Sequence, residues 1–405
     1  MKKKETVYKN FIQKKYLKLN LNKKLNKVYS LILKDITTNL DICLNSFHTI
    51  SSKFQLNFNN KDLENFKKFK EVVIIGMGGS ALGSKAIYFF LKKKIKKNFL
   101  FLDNIDSDKL KIFSNKKKLQ KTLFIVISKT GNTIETISNF VALGIIKKDS
   151  KNVIVISEKN NNFLYELSKK MKLKHIEHKH YIGGRYSVLS EVGMVPAYLM
   201  GLNIKKMRKN LLTHLKNKSQ IYLKDSVIKL TNLMISKKFK NIIFLNYIPQ
   251  LESFLCWNQQ LIAESLGKME KGFLPLISNA PKDHHSLLQL YLEGPKDKLF
   301  YIFSSQTDND KIIGTKKYDK SIGFLNKKGL NQIKIAQKNA LIKSLKKKEI
   351  PFREFIIKDF SEQRLGELFS YFILETALIG KLSNINPFDQ PAVEQIKLDT
   401  KKLLG

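Results

Sequence analysis

A short apolar run that ends in a glycine-rich loop constrains the fold of this chain more than any other feature. Residues 72–75 read VVII and are followed at once by GMGGS at residues 76–80. A run of this length indicates a buried strand of a parallel sheet. The glycines allow a tight turn and let a ligand approach the backbone, and Ser80 can begin a helix whose first amides attract an anion. The stretch therefore predicts a strand, a phosphate-binding loop and a helix.

Two other interpretations of this loop stay open at this point. The spacing of Gly76, Gly78 and Ala81 also fits the dinucleotide-binding fingerprint, and Asp103, which ends the next apolar run, could bind a ribose. The glycines could instead serve only the close packing of the strand on the helix. An NAD(P) enzyme is therefore an alternative that other residues must decide.

Strand-like runs alternate with helical segments along most of the chain. Further apolar runs occupy residues 99–102, 123–127, 153–156, 241–245, 300–303 and 352–357. Such alternation predicts parallel sheets with helices on both faces. With 405 residues, of which 43% are hydrophobic, the chain is long enough for two α/β units.

Composition argues against several classes of protein. The two cysteines, Cys43 and Cys256, suggest neither a disulfide framework nor a cysteine metal site. The formal charge of +40 is spread over nearly every segment, which favours a generally lysine-rich composition over a specific nucleic-acid platform. No run is long enough to span a bilayer, and the N-terminus lacks an apolar signal region, so we expect a cytoplasmic protein.

A second phosphate-binding element follows the third apolar run. Residues 128–136 read SKTGNTIET and lead into a predicted helix. The hydroxyls of Ser128, Thr130 and Thr133, together with local amides, could bind the three terminal oxygens of a phosphate, and the helix dipole favours the same charge. An ordinary helix cap is the alternative, but it requires only one hydroxyl.

Two charged residues stand where catalysis could use them. Arg185 follows two glycines, so its planar cation lies beside backbone that a ligand can approach, although a surface turn would also fit. Glu264 lies in the last turn of a predicted helix over residues 250–266, where the dipole disfavours a carboxylate, a property useful in a general base. A surface glutamate is the alternative. Histidines at positions 175, 178 and 180 are expected to face solvent, because no carboxylate pattern accompanies them.

Six segments in order resemble the glucose-6-phosphate isomerase family, which is built from two sugar isomerase (SIS) domains. They read GMGGS, SKTGNTIET, GGRYSVLSEVG, ESLGK, DHHSLLQLYLEGP and QPAVEQIK. The resemblance implies two three-layer αβα sandwiches with parallel sheets and helical terminal segments. The implied divisions are a helical segment over residues 1–62 that packs on the second domain, a phosphate-binding SIS domain over 63–205, a second SIS domain over 206–385 with the catalytic glutamate and histidine, and a C-terminal helix over 386–405.

The resemblance also implies roles for residues of this chain. Glu264 would move a proton between C2 and C1 of a sugar phosphate, and Arg185 would stabilise the enediolate. His285, supported by Glu135 and joined by Lys397, would assist opening and closing of the sugar ring. Substrate and phosphate contacts are implied for Gly79, Ser80, Ser128, Lys129, Thr130, Thr133 and Gln390.

The implied activity is the reversible isomerisation of glucose 6-phosphate and fructose 6-phosphate in glycolysis and gluconeogenesis. No cofactor and no metal are implied, the NAD(P) alternative loses support, and the family pattern predicts a homodimer in which subunits exchange His285. The alternatives are a related phosphosugar isomerase that also accepts mannose 6-phosphate and a sugar-phosphate-binding SIS regulator without catalysis. Residues that differ from the family pattern are Asn132, His284, Ala392 and Ile396.

Overall fold

Two five-stranded sheets flanked by helices organise the computed structural model of this chain. The structure describes residues 7–43, 45–113, 115–306 and 310–405, with the backbone alone at residues 116 and 217–219. The strands are β1 (Val7–Phe11), β2 (Glu71–Ile75), β3 (Asn98–Leu102), β4 (Thr122–Ile127), β5 (Val153–Ser157), β6 (Lys174–Glu177), β7 (Asn241–Asn246), β8 (Leu274–Asn279), β9 (Lys298–Ser305) and β10 (Phe352–Ile357).

Helices connect and cover the strands. They are α1 (Leu19–Thr38), α2 (Asn60–Leu63), α3 (Gly79–Phe90), α4 (Ser107–Lys111), α5 (Lys116–Lys121), α6 (Ile134–Ala142), α7 (Phe163–Lys170), α8 (Glu191–Leu199), α9 (Ile204–Met207), α10 (Asn217–Ile235), α11 (Glu252–Leu266), α12 (Leu288–Glu293), α13 (Leu330–Lys347), α14 (Glu362–Leu382) and α15 (Pro391–Leu403). Short 3₁₀ helices include Ser46–Ile50, Gly184–Leu189 and Lys282–His285.

The two sheets share one winding order. The first sheet runs β3-β2-β4-β5-β6 and all its strands are parallel. The second runs β1-β10-β9-β7-β8, parallel except for β1. In each sheet the first strand of the parallel series has the second strand on one side and the third on the other. Ligands of α/β proteins bind at the carboxyl ends of strands beside such a reversal, which lies between β2 and β4 in the first sheet.

Burial confirms the predicted parallel α/β architecture. All six residues of β4 are buried, and β2 is exposed only at its first residue, Glu71. Strands covered by helices on both faces need this continuous apolar pattern. Because Ile75 of β2 pairs with Val126 of β4, the loops that follow these two strands leave the sheet side by side.

The N-terminal segment differs from the predicted helical segment over residues 1–62. It begins with β1, which pairs antiparallel with β10, and only then continues into α1. The side chain of Asn10 on β1 accepts a hydrogen bond of 2.9 Å from the buried Arg353 and donates one of 2.8 Å to Asp225. This tertiary pairing, which local sequence does not reveal, makes the segment a strand. Helix α1 packs on α10 and α14, whereas Ser46–Ile50 contacts Gly184–Leu189.

Two other expectations need correction or extension. Of the three histidines expected to face solvent, His180 is exposed and His175 is half-buried, whereas His178, whose backbone amide donates to the carbonyl of Ser157, is 2% exposed. The C-terminal helix predicted over residues 386–405 is α15, which begins at Pro391, and apolar residues on it are exposed, with Ile396 at 68% and Leu403 at 88%. Over the described ranges, no helix combines the length and apolarity needed to cross a membrane.

Candidate active site

The two predicted phosphate-binding loops meet at the carboxyl ends of β2 and β4. Ser128 directly follows β4 and is buried, and its hydroxyl lies 2.8 Å from the hydroxyl of Thr133. Thr133 precedes the first residue of α6, so both hydroxyls stand at a helix N-terminus, where an anion is favoured. Thr130 of the same loop is exposed. The hydroxyls of Ser128 and Thr133 therefore form a pair of hydrogen-bond donors that can turn towards a phosphate.

Lys129 brings a cation to this loop. Its ammonium lies 3.8 Å from the carboxylate of Glu158. Burial lowers the pKa of Lys129, attraction to Glu158 opposes that effect, and repulsion from Arg185 adds to it. The lysine and the arginine therefore share one electrostatic environment, which a bound phosphate would neutralise.

The glycine loop after β2 lies against the segment that contains Arg185. A Cβ atom on Gly79 would lie 2.3 Å from the carbonyl carbon and oxygen of Gly184 and 2.6 Å from the backbone nitrogen of Arg185. Gly78 has φ of 50°, and a Cβ there would lie 2.7 Å from the side-chain nitrogen of Gln260. Glycine is needed at position 79 because two backbones meet there, and at position 78 because φ is positive. Ser80, in the first turn of α3, is half-buried beside them.

Arg185 is buried, and its guanidinium connects three side chains. Nε donates to Ser265 Oγ at 2.8 Å, and Nη1 donates to Gln390 Oε1 at 2.8 Å. Nη1 also lies 3.3 Å from Glu264 Oε2, and the glutamate side chain retains 30% exposure. A buried cation is thereby paired with a carboxylate that solvent or a substrate can reach.

Backbone carbonyls fix the other side of the same guanidinium. Nη2 donates to the carbonyl of Pro387 at 2.6 Å and to that of Asp389 at 2.9 Å. The indole of Trp257 donates to the carbonyl of Arg185 at 3.1 Å. Since a guanidinium presents its donors in a rigid fork, these contacts fix its orientation.

Gln260 is a site residue that the sequence analysis missed. It lies one turn before Glu264 on α11, and its Nε2 donates to Glu264 Oε1 at 2.9 Å. Its own Oε1 is buried and has no hydrogen-bond partner among the residues that the structure describes. The signal was the spacing of four residues, which places both side chains on one helix face. The carboxylate of Glu264 is therefore held from one side by Gln260 and from the other by Arg185.

An open cavity of about 920 Å³ adjoins this cluster. Glu264 and Gln390 line it, together with the loop over residues 267–271 and the start of α15. Lys268 closes one wall through an ion pair of 2.6 Å with Asp389. This pair lowers the pKa of Asp389, mainly through the hydrogen bond from Lys268.

Three residues that the resemblance assigns to ring opening lie outside this cluster. His285 and Glu135 are exposed, and no contact among the described residues joins them to each other or to Glu264. Lys397 lies on α15, where its ammonium is 2.7 Å from Glu394 one turn earlier. A single chain in this conformation therefore does not assemble them with the Arg185 cluster.

The histidine next in sequence has a different environment. His284 Nε2 lies 2.8 Å from the hydroxyl of Tyr247, and the two rings meet edge to face. Burial lowers the pKa of His284, and repulsion from His285 adds to this effect. His284 is thus occupied by a contact within the chain, whereas His285 projects from the same 3₁₀ helix into solvent.

The geometry suits proton transfer on a phosphorylated substrate. A carboxylate with partial access to solvent lies beside a buried cation, and Lys129 of the phosphate loop shares the electrostatic environment of that cation. Such a pair can remove a proton from a carbon and stabilise the negative charge that develops on the adjacent oxygen. Across the described ranges, no group of three or more His, Cys, Asp or Glu residues could bind a metal ion.

Comparisons with known proteins agree on one family. A family model described as phosphoglucose isomerase matches residues 16–404. The chain is 33% identical over 344 residues to a probable glucose-6-phosphate isomerase of Methanococcus maripaludis, which covers 81% of this chain and 77% of that protein. It is 31% identical over 362 residues to a glucose-6-phosphate isomerase of Methanocaldococcus jannaschii, with 84% and 86% covered.

Solved structures show the same fold. A glucose-6-phosphate isomerase of Chlamydia trachomatis superposes with a TM-score of 0.77 at 19% identity, covering 99% of this chain and 88% of that one. A hypothetical protein of Thermus thermophilus superposes with a TM-score of 0.83 at 23% identity, covering 98% and 100%. At these identities the likeness concerns the fold alone.

Proposed function

The chain belongs to the phosphoglucose isomerase family, and we propose that it catalyses the reversible conversion of glucose 6-phosphate to fructose 6-phosphate. The family match confirms the resemblance that the six motifs indicated. The observation that supports the proposal most directly is the 3.3 Å contact between the carboxylate of Glu264 and the guanidinium of Arg185. The reaction is a shared step of glycolysis and gluconeogenesis, and we place it in the cytoplasm.

The proposed mechanism uses Glu264 as the proton carrier. Its carboxylate takes the proton from C2 of the open-chain aldose and returns it to C1, which converts the aldehyde to a ketone without any oxidant. Arg185 stabilises the negative oxygen of the enediolate intermediate. Gln260 fixes the second carboxylate oxygen of Glu264, as the 2.9 Å hydrogen bond supports.

The phosphate group orients the substrate for this step. The hydroxyls of Ser128 and Thr133 donate hydrogen bonds to the phosphate, and Lys129 supplies a positive charge. The backbone at Gly79 and Ser80 lines the path by which the substrate approaches. Gln390 reaches the same region through its 2.8 Å contact with Arg185. Phosphate binding thereby holds a flexible open chain in a reactive position, which reduces the entropic part of the barrier.

Ring opening requires groups that one chain does not bring to the cluster. We assign it to His285, Lys397 and Glu135, with His285 contributed by the second subunit of a homodimer. The exposure of His285 and the absence of any side-chain hydrogen bond to it among the described residues support this assignment. The open cavity beside Glu264 leaves room for such a group.

A coupled assay tests the proposed function. Purified protein is given fructose 6-phosphate. The glucose 6-phosphate that forms is oxidised by an NADP-dependent dehydrogenase, and the absorbance of the NADPH produced measures turnover. We expect turnover that persists in EDTA. A parallel arm with mannose 6-phosphate measures specificity at C2. Binding of fructose 6-phosphate without any turnover would contradict the proposal and favour a sugar-phosphate-binding regulator.

A further inference from the structure

We propose a nucleotide-binding site in a second cavity, separate from the Arg185 cluster. This cavity has a volume of about 1010 Å³ and lies between residues 51–61 of the N-terminal segment and residues 204–210, which follow the first sheet. None of its lining residues belongs to the proposed active site. Its volume is large enough for a ligand of nucleotide size.

The charge of the lining is wholly positive. Lys61, Lys205, Arg208 and Lys209 line the cavity, and its lining includes no aspartate or glutamate. Even in a lysine-rich chain, acidic residues usually intersperse with basic ones and neutralise part of their field. Four cations around one concave space instead attract an anion that carries several charges, such as a chain of phosphates.

Arg208 is the residue that distinguishes this cavity from an ordinary lysine-rich surface. Its guanidinium lies 4.8 Å from the ring centre of Phe54 and donates to two carbonyls, those of Leu189 and Ser51. Burial lowers the pKa of Arg208 to about 10, so the group stays charged at neutral pH.

The charge of Arg208 is balanced only in part. Attraction to Glu191 raises the pKa of Arg208, against the larger effect of burial, but Glu191 Oε1 accepts its ion-pair hydrogen bond from Lys179 at 2.6 Å. Within the described part of the chain, no carboxylate lies at ion-pairing distance from Arg208. A half-buried guanidinium without a direct ion pair costs free energy, which a bound anion would recover in part.

The remaining lining suits an aromatic base. Phe58 and Leu56 are half-buried and provide an apolar wall, on which a base can stack. Side-chain amides at residues 55, 59, 60 and 210 surround that wall and offer both donors and acceptors to the edge of a base. A cationic rim combined with an aromatic wall and amides favours a nucleoside polyphosphate over inorganic phosphate alone.

Two short paths connect this cavity to the proposed active site. Leu189, whose carbonyl accepts from Arg208, is the last residue of the 3₁₀ helix that contains Arg185. Ser51, the other acceptor, follows the 3₁₀ helix Ser46–Ile50, in which Ser46 Oγ accepts from the amide of Gly183 at 2.9 Å. A ligand that binds the guanidinium of Arg208 thus acts on both ends of the segment over residues 183–189, which contains Arg185. An effect of the bound ligand on isomerase turnover rests on the proposed function, whereas binding of the ligand to this cavity does not.

The single tryptophan of the sequence provides a reporter for this coupling. Trp257 is buried, and its indole donates to the carbonyl of Arg185 at 3.1 Å. The indole lies on α11, outside the second cavity. A change in its fluorescence on nucleotide binding would therefore report movement of the Arg185 segment and not direct contact with the ligand.

The experiment titrates the full-length protein with adenosine triphosphate, tripolyphosphate and adenosine at about 0.15 M salt, which screens diffuse attraction. Calorimetry measures affinity and Trp257 fluorescence measures coupling. We expect adenosine triphosphate to bind at least about tenfold more tightly than either of its parts. Equal binding of tripolyphosphate would overturn the assignment to a nucleotide, and binding without a fluorescence change would overturn the coupling.

Matched variants locate the bound nucleotide. In Lys205→Ala/Lys209→Ala, two exposed lysines four residues apart are removed, and we expect affinity for adenosine triphosphate to fall about tenfold. Lys23→Ala/Lys27→Ala on α1 has the same charge change and spacing and should retain affinity. Thr133→Val should also retain affinity for adenosine triphosphate.

Two outcomes would overturn the proposal. Loss of affinity in Thr133→Val alone would place the nucleotide in the catalytic phosphate seat, and equal loss in both lysine pairs would show diffuse electrostatic attraction. Because no arm measures turnover, failure of the proposed isomerase activity would leave these outcomes intact.

Discussion

The Arg185 cluster and the pair formed by His285 and Lys397 differ in how completely one chain assembles them. Arg185 is 2% exposed and forms hydrogen bonds with side chains and backbone from two separate segments, α11 and residues 387–390. His285 projects into solvent, and the side chain of Lys397 is 50% exposed with a neighbour on its own helix as partner.

Burial explains this difference. A guanidinium removed from water must find a partner for nearly every donor, so folding itself positions Arg185 and, through it, Glu264 and Gln390. Exposed side chains have water as a partner, and folding of one chain places no such demand on them. In the proposed mechanism the proton-transfer part of the site is therefore a product of folding, whereas the ring-opening part requires a second event, such as dimer formation or docking of α15.

The largest effect is expected for the proton carrier. Glu264→Gln keeps the shape of the side chain and its hydrogen bond to Gln260 but removes the base, so turnover should fall by at least about 10²-fold. Binding of fructose 6-phosphate should change little. Steady-state kinetics and calorimetry measure the two quantities, with Glu166→Gln on the surface of α7 as the control. Near-normal turnover in Glu264→Gln would reject this residue as the base.

Arg185→Lys tests whether folding depends on the same cluster. Lysine keeps the charge but cannot reach Gln390 and the carbonyls of Pro387 and Asp389 together, which leaves buried acceptors without donors. We expect the free energy of unfolding to fall by about 3 kcal/mol, measured by urea denaturation. A loss below about 0.5 kcal/mol would show that the cluster is not part of the folded core.

Acid should destabilise the half of the molecule that contains the phosphate loops. Burial lowers the pKa of His178 from 6.5 to about 4, so between these values the unfolded chain binds a proton that the folded chain does not. The contribution of His178 to the free energy of unfolding is therefore complete above about pH 6.5. It falls as pH drops towards 4, with a slope of about 1.4 kcal/mol per pH unit. Urea denaturation of His178→Gln should show a shallower slope, while the exposed His180→Gln should match the wild type.

In contrast to Arg185→Lys, Lys397→Ala should lower turnover but leave the free energy of unfolding nearly unchanged. The lysine is exposed and, among the described residues, its ion-pair partner is Glu394 within α15, so the free energy of unfolding should change by less than about 0.5 kcal/mol. Turnover should fall about tenfold, because His285 remains to share the ring-opening step. Lys401→Ala, exposed on the same helix, is the control. If the two variants have equal activity, Lys397 does not reach the site.

The sequence predicted those parts of the molecule that depend on local pattern. The buried runs of β2 and β4 and the glycine and hydroxyl loops after them could be recognised because one segment contains the whole signal. Gln260 was missed although its spacing to Glu264 was visible, since many polar residues share that spacing. The strand β1 and the buried His178 could not be foreseen, because a partner distant in the chain determines each. Carbonyl acceptors such as Pro387 have no sequence signal at all.

Subunit complementation tests most directly whether the preassembled and exposed parts of the site come from two chains. Glu264→Gln and His285→Ala proteins, each nearly inactive, are mixed under conditions that exchange subunits. A heterodimer contains one site with an intact glutamate from one chain and an intact histidine from the other, so random mixing should restore about a quarter of wild-type activity. Absence of recovery in verified heterodimers, or full activity in a monomer, would show that His285 acts within its own chain and would contradict this account.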